Sequence, residues 1–466
     1  MGYKCTELCK TIQKSCVKFS CLWLETHFCE IIQFNMNRKI KVLVVTYSVW
    51  RDDNNNGNSY SSIFKGMEDK LEIANIYFKD GMPKNKIVHR YFHISERALM
   101  KSAFNRKPVG RAFMMDDPYN TPNQEYSAAY NKARALRWDA IFLARDYSVV
   151  AGNWKTKALD DFINDFQPDL IFGNLHFIPV YDRIMTYLSK RFNIPLVVYP
   201  WDDFYSKNRK SSNLLYWIRF YIERIEIKNC VKNASLMYCI TDQMRKEYKE
   251  FFNKDSHILY KGREFDGEPQ LKDVKDSVHL VYMGNIGNDR WKVLGRIAEE
   301  LVNINKKESG KTFFDIYTLS PHTDAIEKAL NIPGVVSLHD PVDVEEVEDI
   351  RNSADILVHV EPVNERERLN YRLSFSTKLV DYFYNARCIL ALGGETSAMD
   401  YLRENDAAIV ETDIKKFSTL IESLINDPQK IKVYGRKAWD CGKRNHQIKE
   451  IQSMLYDDFS NLILKK

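Results

Sequence analysis

The feature that most constrains this chain is an alternation that runs along it twice. Short, continuous apolar runs alternate with longer segments of helical periodicity; a polar stretch interrupts the pattern, and it then begins again. Residues 40–45 form the first run, apolar at all but one position. A strand of that kind is buried on both faces, which happens in a parallel sheet covered by helices on each side. A polar loop over 52–59 leads to a helical pattern over 60–67. Further strands are expected at 71–78, 170–172, 196–199, 235–240 and 257–259, with helices at 126–138, 160–166, 181–192, 214–232 and 243–252. In the second series strands are expected at 279–283, 313–318, 335–339, 356–360, 388–392 and 407–410. Helices separate them at 293–303, 324–330, 344–352, 377–384 and 398–404, and more helices close the chain. The expected fold is α/β: two Rossmann-like, doubly wound parallel-sheet domains facing across a cleft.

The expected boundaries are 36–262 for an N-terminal, acceptor-side domain, 263–277 for a linker and 278–445 for a C-terminal domain. Residues 446–466 read as a C-terminal helix able to cross back to the N-terminal domain. Met36 is followed almost at once by the first strand and is the expected natural start; residues 1–35 then form a disordered or artefactual extension. That extension holds five of the nine cysteines, and no CxxC pair or zinc-like His/Cys spacing occurs, which fits a reducing, cytoplasmic compartment. No run of 18 apolar residues is present.

A net charge of +5 is too mild for a nucleic-acid partner. The charge is uneven, however. Residues 84–111 carry Lys84, Lys86, Arg90, Arg97, Lys101, Arg106, Lys107 and Arg111 against one acid, Glu96. Such a run is either a solvated helix face or a surface for an anionic membrane or a phosphate-bearing acceptor. The segment 214–232 has two readings as well: an ordinary surface-to-core helix, or a peripheral membrane contact at the inner face of the membrane.

Ligands bind outside the carboxyl ends of strands in sheets of this kind, so the loops there carry the candidate chemistry. After the first strand of the second series come Gly284, Asn285, Gly287, Arg290 and Lys292. Glycines let backbone approach a diphosphate, a helix N-terminus offers free N–H groups, and the two cations add charge-assisted bonds. The spacing is not that of a dinucleotide fingerprint. Further on, Ser374 or Ser376 can cap a helix whose first amides, at Thr377 and Lys378, point toward an anion, with Asp381 one turn later able to accept from a ribose diol. Gly393-Gly394-Glu395 is a third such loop or only a turn.

Residues 279–410 resemble the C-terminal domain of GT-B glycosyltransferases, and glycosyltransferase family 4 in particular, as a divergent branch of the bacterial surface-polysaccharide type. In that family two acids stand eight positions apart. Asp381 matches the second, which implies a ribose contact, whereas Leu373 replaces the first, which contacts the donor sugar. Glu361 or Glu365 is the expected substitute from the neighbouring loop. Asn285 stands where the family's phosphate-binding Arg usually is, so that role passes to Arg290 and Lys292. Lys261-Gly262 resembles the Asn-Gly pair that closes the family's N-terminal domain. In the N-terminal half, Gly57 and Asn58 lie in the loop after the first strand, where the family's acceptor-side loop is found, and His176 follows the strand at 170–172. Asp202 and Asp203 follow the strand at 196–199; either orients or deprotonates an acceptor hydroxyl, or caps the next helix.

The resemblance implies transfer of a sugar from a nucleoside diphosphate sugar to a saccharide or lipid-linked acceptor, with retention. No Asp-x-Asp metal motif stands at a plausible site, so protein cations are expected to replace a metal, and no cofactor is expected beyond the nucleotide sugar as co-substrate. The alternatives are a sugar-nucleotide epimerase on the same fold and a non-catalytic sugar-nucleotide-binding protein.

Overall fold

The computed structural model describes residues 38–53, 55–117, 139–308 and 310–465. The helical pattern at 126–138 and the N-terminal extension lie outside the described residues. The first series comprises β1 (Ile40–Thr46), α1 (Asn55–Phe64), β2 (Leu71–Tyr77), β3 (Arg90–His93), α2 (Glu96–Asn105), β4 (Arg111–Met114), α3 (Asp139–Ala151) and α4 (Lys157–Phe166). It continues with β5 (Leu170–Gly173), α5 (Pro179–Phe192), β6 (Leu196–Val198), α6 (Leu214–Asn233), β7 (Leu236–Cys239), α7 (Asp242–Phe252) and β8 (His257–Ile258). These strands form one sheet in the order β4-β3-β2-β1-β5-β6-β7-β8.

The second series comprises β9 (Val278–Met283), α8 (Arg290–Lys307), β10 (Thr312–Tyr317), α9 (Asp324–Leu330), β11 (Val336–His339), α10 (Val344–Ser353), β12 (Ile356–Val360), α11 (Glu365–Tyr371) and α12 (Lys378–Tyr384). It ends with β13 (Cys388–Leu392), α13 (Ser397–Glu404), β14 (Ile409–Glu411), α14 (Phe417–Ile425), α15 (Pro428–Asn445) and α16 (Ile448–Leu464). Its sheet order is β11-β10-β9-β12-β13-β14, parallel throughout. β12 and β13 are buried at every position, as strands covered on both faces must be.

In each sheet the chain first builds outward on one side of its first strand and then jumps to the other side. The order therefore reverses between β1 and β5, and again between β9 and β12. At such a reversal the two adjoining loops diverge to opposite faces and leave a crevice. The second crevice is flanked by Gly284 and Glu361, the first by the loops after Thr46 and Gly173.

Three local expectations change. The first helix starts at Asn55, so Gly57 and Asn58 lie in helix, not loop; an Asn/Asp-rich run suits a helix start as well as a turn. The basic stretch 84–111 is not one helix face but β3, α2 and β4. Arg106 (φ 56°) and Gly110 (φ 118°) turn the chain after α2, so β4 joins the edge antiparallel to β3. Finally, 365–371 forms a short polar helix, α11, with no apolar periodicity to announce it.

Two segments cross side by side between the sheets: Arg263 N–H donates to His446 O (3.0 Å), and Ile448 N–H to Arg263 O (3.0 Å). Helix α16 then runs along the first sheet. Gln452 donates to the carbonyls of Ile63 and Lys65, Asp458 accepts from Tyr238 and pairs with His257, and Phe459 packs its ring on Phe172. Phe459 is fully buried, and Phe459→Ala should cost about 3–5 kcal/mol of stability. Denaturant unfolding checks this; a loss below about 1 kcal/mol would mean that α16 does not dock there.

Candidate functional site

Gly284 ends β9 with φ 155°, and Asn288 (φ 56°) and Asp289 (φ 64°) complete a tight loop that opens α8 at Arg290. The Asn285 side chain braces this loop, accepting from Gly287 N–H (2.6 Å) and Ser320 Oγ (3.2 Å). A Cβ on Gly284 would stand 3.1 Å from Lys378 Nζ, so glycine is what allows that ammonium to lie against the strand end. Lys378, the first residue of α12, sits 4.2 Å above the Tyr282 ring and donates to Met283 O at 3.4 Å. Among the described residues no carboxylate forms an ion pair with it.

Arg290 lies over the Tyr371 ring at 4.7 Å and reaches Glu361 Oε2 at 3.4 Å. Glu361 is buried, and His359 Nε2 lies 3.2 Å from its other oxygen. Gly393 and Gly394 let the loop after β13 pack onto this carboxylate's backbone: Cβ atoms there would stand 2.1 Å from Glu361 O and 2.5 Å from Pro362 O. Their role is support. Burial would raise the Glu361 pKa, but His359, Arg290 and Lys378 hold it below the usual carboxylate range. Burial, with the adjacent Arg290, pushes the Lys378 ammonium down to about 7, against the pull of Glu361. Two cations thus stand near one buried carboxylate at the β9/β12 crevice, which pairs with Arg290 and leaves Lys378 without an ion pair among the described residues, a local excess of positive charge.

The carboxyl ends of the two sheets meet across this crevice. Ser374 donates to Asp202 Oδ1 at 2.5 Å, and Thr241 Oγ1 donates to Leu373 O at 3.0 Å. Arg372 makes a forked pair with Glu247 (2.6 and 2.5 Å) and lies 3.4 Å from Asp203. Burial raises the Asp202 pKa, which Ser374 and Arg209 only partly offset. Asp203 is spent within its own loop, accepting from Tyr205 N–H, Ser206 N–H and Tyr248 OH. It serves as a turn-capping group, not as one that faces a ligand.

Other expected residues are engaged in contacts of their own. Lys292 pairs with Asp289 on the exposed side of α8. Glu365 is a surface residue that pairs with Lys210 across the domain gap. The Ser376 carbonyl caps α12 by accepting from Leu379 N–H, and Thr377 precedes a helix of only seven residues, too short for much dipole. Asp381 is held by Lys261 (2.9 Å to each oxygen), Arg263 (3.3 Å) and Arg351 (3.5 Å). Burial would raise its pKa, and these cations hold it below the usual range instead. It ties the segment that joins the two sheets to α12, so a ribose hydroxyl reaching it would share the carboxylate with Lys261.

At the first sheet's crevice, Tyr47, Ser48, Gly57, Tyr60, His176 and Trp201 line a small recess. Gly57 is needed there because a Cβ would stand 2.0 Å from Arg51 O. His176 stacks between Tyr47 (4.4 Å) and Phe177 (4.2 Å). Burial and the nearby Arg145, Lys79 and Arg219 keep it neutral. Asn58 is exposed and does not line the recess. Sequence reasoning missed Tyr371, His359 and Ser374 as partners of the crevice. Only His359, a polar residue inside the apolar run of β12, carried a readable signal.

Leu373, which stands where the family's first acid would be, is fully buried between the domains. A carboxylate at that position would be buried without a partner. Leu373→Glu should therefore cost at least about 3 kcal/mol and restore no sugar contact; thermal melting checks it, and a variant as stable as the parent would show that the position opens to the cleft.

No family model matches the chain, and no curated protein matches its sequence. Solved structures do match in fold. TarM of S. aureus, in complex with fondaparinux, alpha-GlcNAc-glycerol and UDP, superposes with a TM-score of 0.57 at 11% identity, covering 90% of this chain and 99% of its own. An alpha,alpha-trehalose-phosphate synthase (UDP-forming) from Burkholderia xenovorans, in complex with glucose-6-phosphate, gives 0.56 at 9% identity, with the same coverage. WaaG, a glycosyltransferase involved in lipopolysaccharide biosynthesis, gives 0.55 at 11% over 90% and 99%. At these identities the likeness establishes the fold, and the chain has the GT-B architecture that these glycosyltransferases share.

Proposed function

We propose that the chain is a glycosyltransferase that moves a sugar from a nucleoside diphosphate sugar to a saccharide or lipid-linked acceptor in surface-polysaccharide synthesis. The observation that carries this reading is the convergence of Arg290 and Lys378 on the β9/β12 crevice beside the buried carboxylate of Glu361, which pairs with Arg290. The GT-B architecture supports it, as does the UDP that one structural neighbour holds.

A diphosphate placed against Gly284 would meet Lys378 Nζ below it and Arg290 at the α8 N-terminus, where the helix dipole adds to the guanidinium charge. Breaking the sugar–phosphate bond leaves a further negative charge on the departing diphosphate. Fixed cations in a crevice stabilise that charge without reorganising, and loss of one such donor typically costs about 10²–10³ in rate. The same two cations do what a metal would otherwise do, and we take transfer to be metal-independent. Asp202, on the opposite wall, has a raised pKa and is suited to accept the acceptor's proton. The recess beside Tyr47 and His176 supplies aromatic faces and neutral hydrogen-bonding groups for an acceptor. Retention is carried over from the resemblance. The expected compartment is cytoplasmic, where the four described cysteines, all buried free thiols, stay reduced.

A thermal-shift screen against nucleoside diphosphates and nucleotide sugars tests the donor site without knowledge of the acceptor, because a ligand of the native state raises the melting temperature. A shift is expected with at least one base, and Arg290→Ala should abolish it. Asp202→Asn should keep the shift and lower turnover by about 10²–10⁴. Turnover should survive EDTA, and the anomeric configuration of the product, read by NMR, should match that of the donor. The absence of any shift, or a full shift in Arg290→Ala, would contradict the proposal.

A further inference from the structure

Helix α6 is apolar on two opposite faces. One face, with Phe220, Ile227, Cys230 and Val231, is buried in the first domain. The other presents Leu214, Ile218, Tyr221, Ile222 and Ile225 to solvent, at positions that line up on a narrow stripe at 3.6 residues per turn. Leu214 is 72% exposed and Ile225 59%. A helix apolar all round is ordinarily enclosed on all sides, yet among the described residues nothing covers this stripe. Contiguous exposed apolar surface of this kind marks an interaction site.

The neighbouring helices extend the pattern. α3 packs between α2 and α6. It carries Tyr147, 76% exposed, and α2 carries Phe104, 84% exposed, beside the exposed Lys101, Arg106 and Lys107. The charges sort strictly. Every acid on the three helices is withdrawn: Glu96 accepts from Tyr47, Asp139 from Asn213, Asp146 lies between Arg145 and Arg219, Glu223 pairs with Arg219, and Glu226 with Arg183. Exposed charges on these helices are all positive, with Lys228 and Lys232 continuing the α6 stripe. A protein partner of ordinary composition gives no reason for such sorting. An apolar ridge whose own helices expose only cations is complementary to one surface, the headgroup and acyl boundary of an anionic bilayer.

We propose that the α2–α3–α6 face docks on an anionic lipid membrane, with the α6 stripe inserted at the headgroup level and Lys228 and Lys232 meeting lipid phosphates. No helix among the described residues is long and apolar enough to cross a membrane, so the contact is peripheral. The inference stands apart from the donor-site reading, and its test involves no catalysis.

The full-length protein should float with phosphatidylcholine vesicles that contain phosphatidylglycerol, and should not float with phosphatidylcholine alone. Ile218→Glu, Ile222→Glu and Ile225→Glu combined should weaken flotation at least about tenfold while leaving the melting temperature within about 2 °C. Lys228→Glu with Lys232→Glu should weaken it several-fold at low salt and less at high salt. Four results would overturn the proposal. One is no flotation on anionic vesicles, and another is flotation unchanged in the triple variant. A third is a triple variant that melts far below the parent, since the stripe would then be covered by protein of the same chain. The last is a dimer of the parent that the triple variant disperses, which would assign the face to a second copy.

Discussion

The second domain is built around an imbalance of charge. At the point where its sheet reverses strand order, Arg290 and Lys378 act on each other and on one buried carboxylate, Glu361, which pairs with Arg290. Burial, and after it the neighbouring Arg290, disfavours the charged ammonium of Lys378, as its lowered pKa records. Such an arrangement is retained where an anion completes it. The rest of the second domain can be read as support for that spot. The glycine at 284 admits the ammonium, the Tyr282 and Tyr371 rings receive the cations on their faces, and the loop after β13 backs the carboxylate.

The opposite wall is fixed to this spot instead of floating free of it. The segment Arg372–Ser374 reaches into the first domain, where Glu247, Thr241 and Asp202 receive it. Asp381 adds a second tie through Lys261 and Arg263, and α16 a third by lying along the first sheet. These ties explain why a leucine occupies position 373. Its side chain is part of the contact between the halves, and a carboxylate would be a buried, unpaired charge there. The carboxylates that do face the gap between the halves are Glu361 and, on the opposite wall, Asp202.

The fold was legible because its signal is periodic and repeated. Apolar runs such as 356–360 and 388–392 admit one interpretation when helices alternate with them. The site was legible only where glycine or a strand end announced it. Gly284, Arg290 and Glu361 were named from their places after strands and Lys378 from its place in the first turn of a capped helix, and the structure brings all four together. Asp203, Lys292 and Glu365 were named on the same grounds and point elsewhere. Whether a side chain after a strand turns inward depends on the loop's own hydrogen bonds, which have no period. Asp203 shows this most clearly, since neighbours two and three residues along take its oxygens. Tyr371 was missed because α11 is short, mostly polar and without apolar periodicity; Ser374 was named only as a helix cap because its partner lies 172 residues away.

In the proposed reading an anion completes the pair of cations. If so, binding must draw a proton onto Lys378 at pH values above its free-state pKa of about 7, because a bound diphosphate favours the charged ammonium. Titration calorimetry of the full chain with a nucleoside diphosphate near pH 8, repeated in buffers of different ionisation enthalpy, counts that proton directly. Net uptake is expected, shrinking toward pH 6 and lost in Lys378→Met. Binding with no uptake at pH 8, or with the same uptake in Lys378→Met, would contradict it.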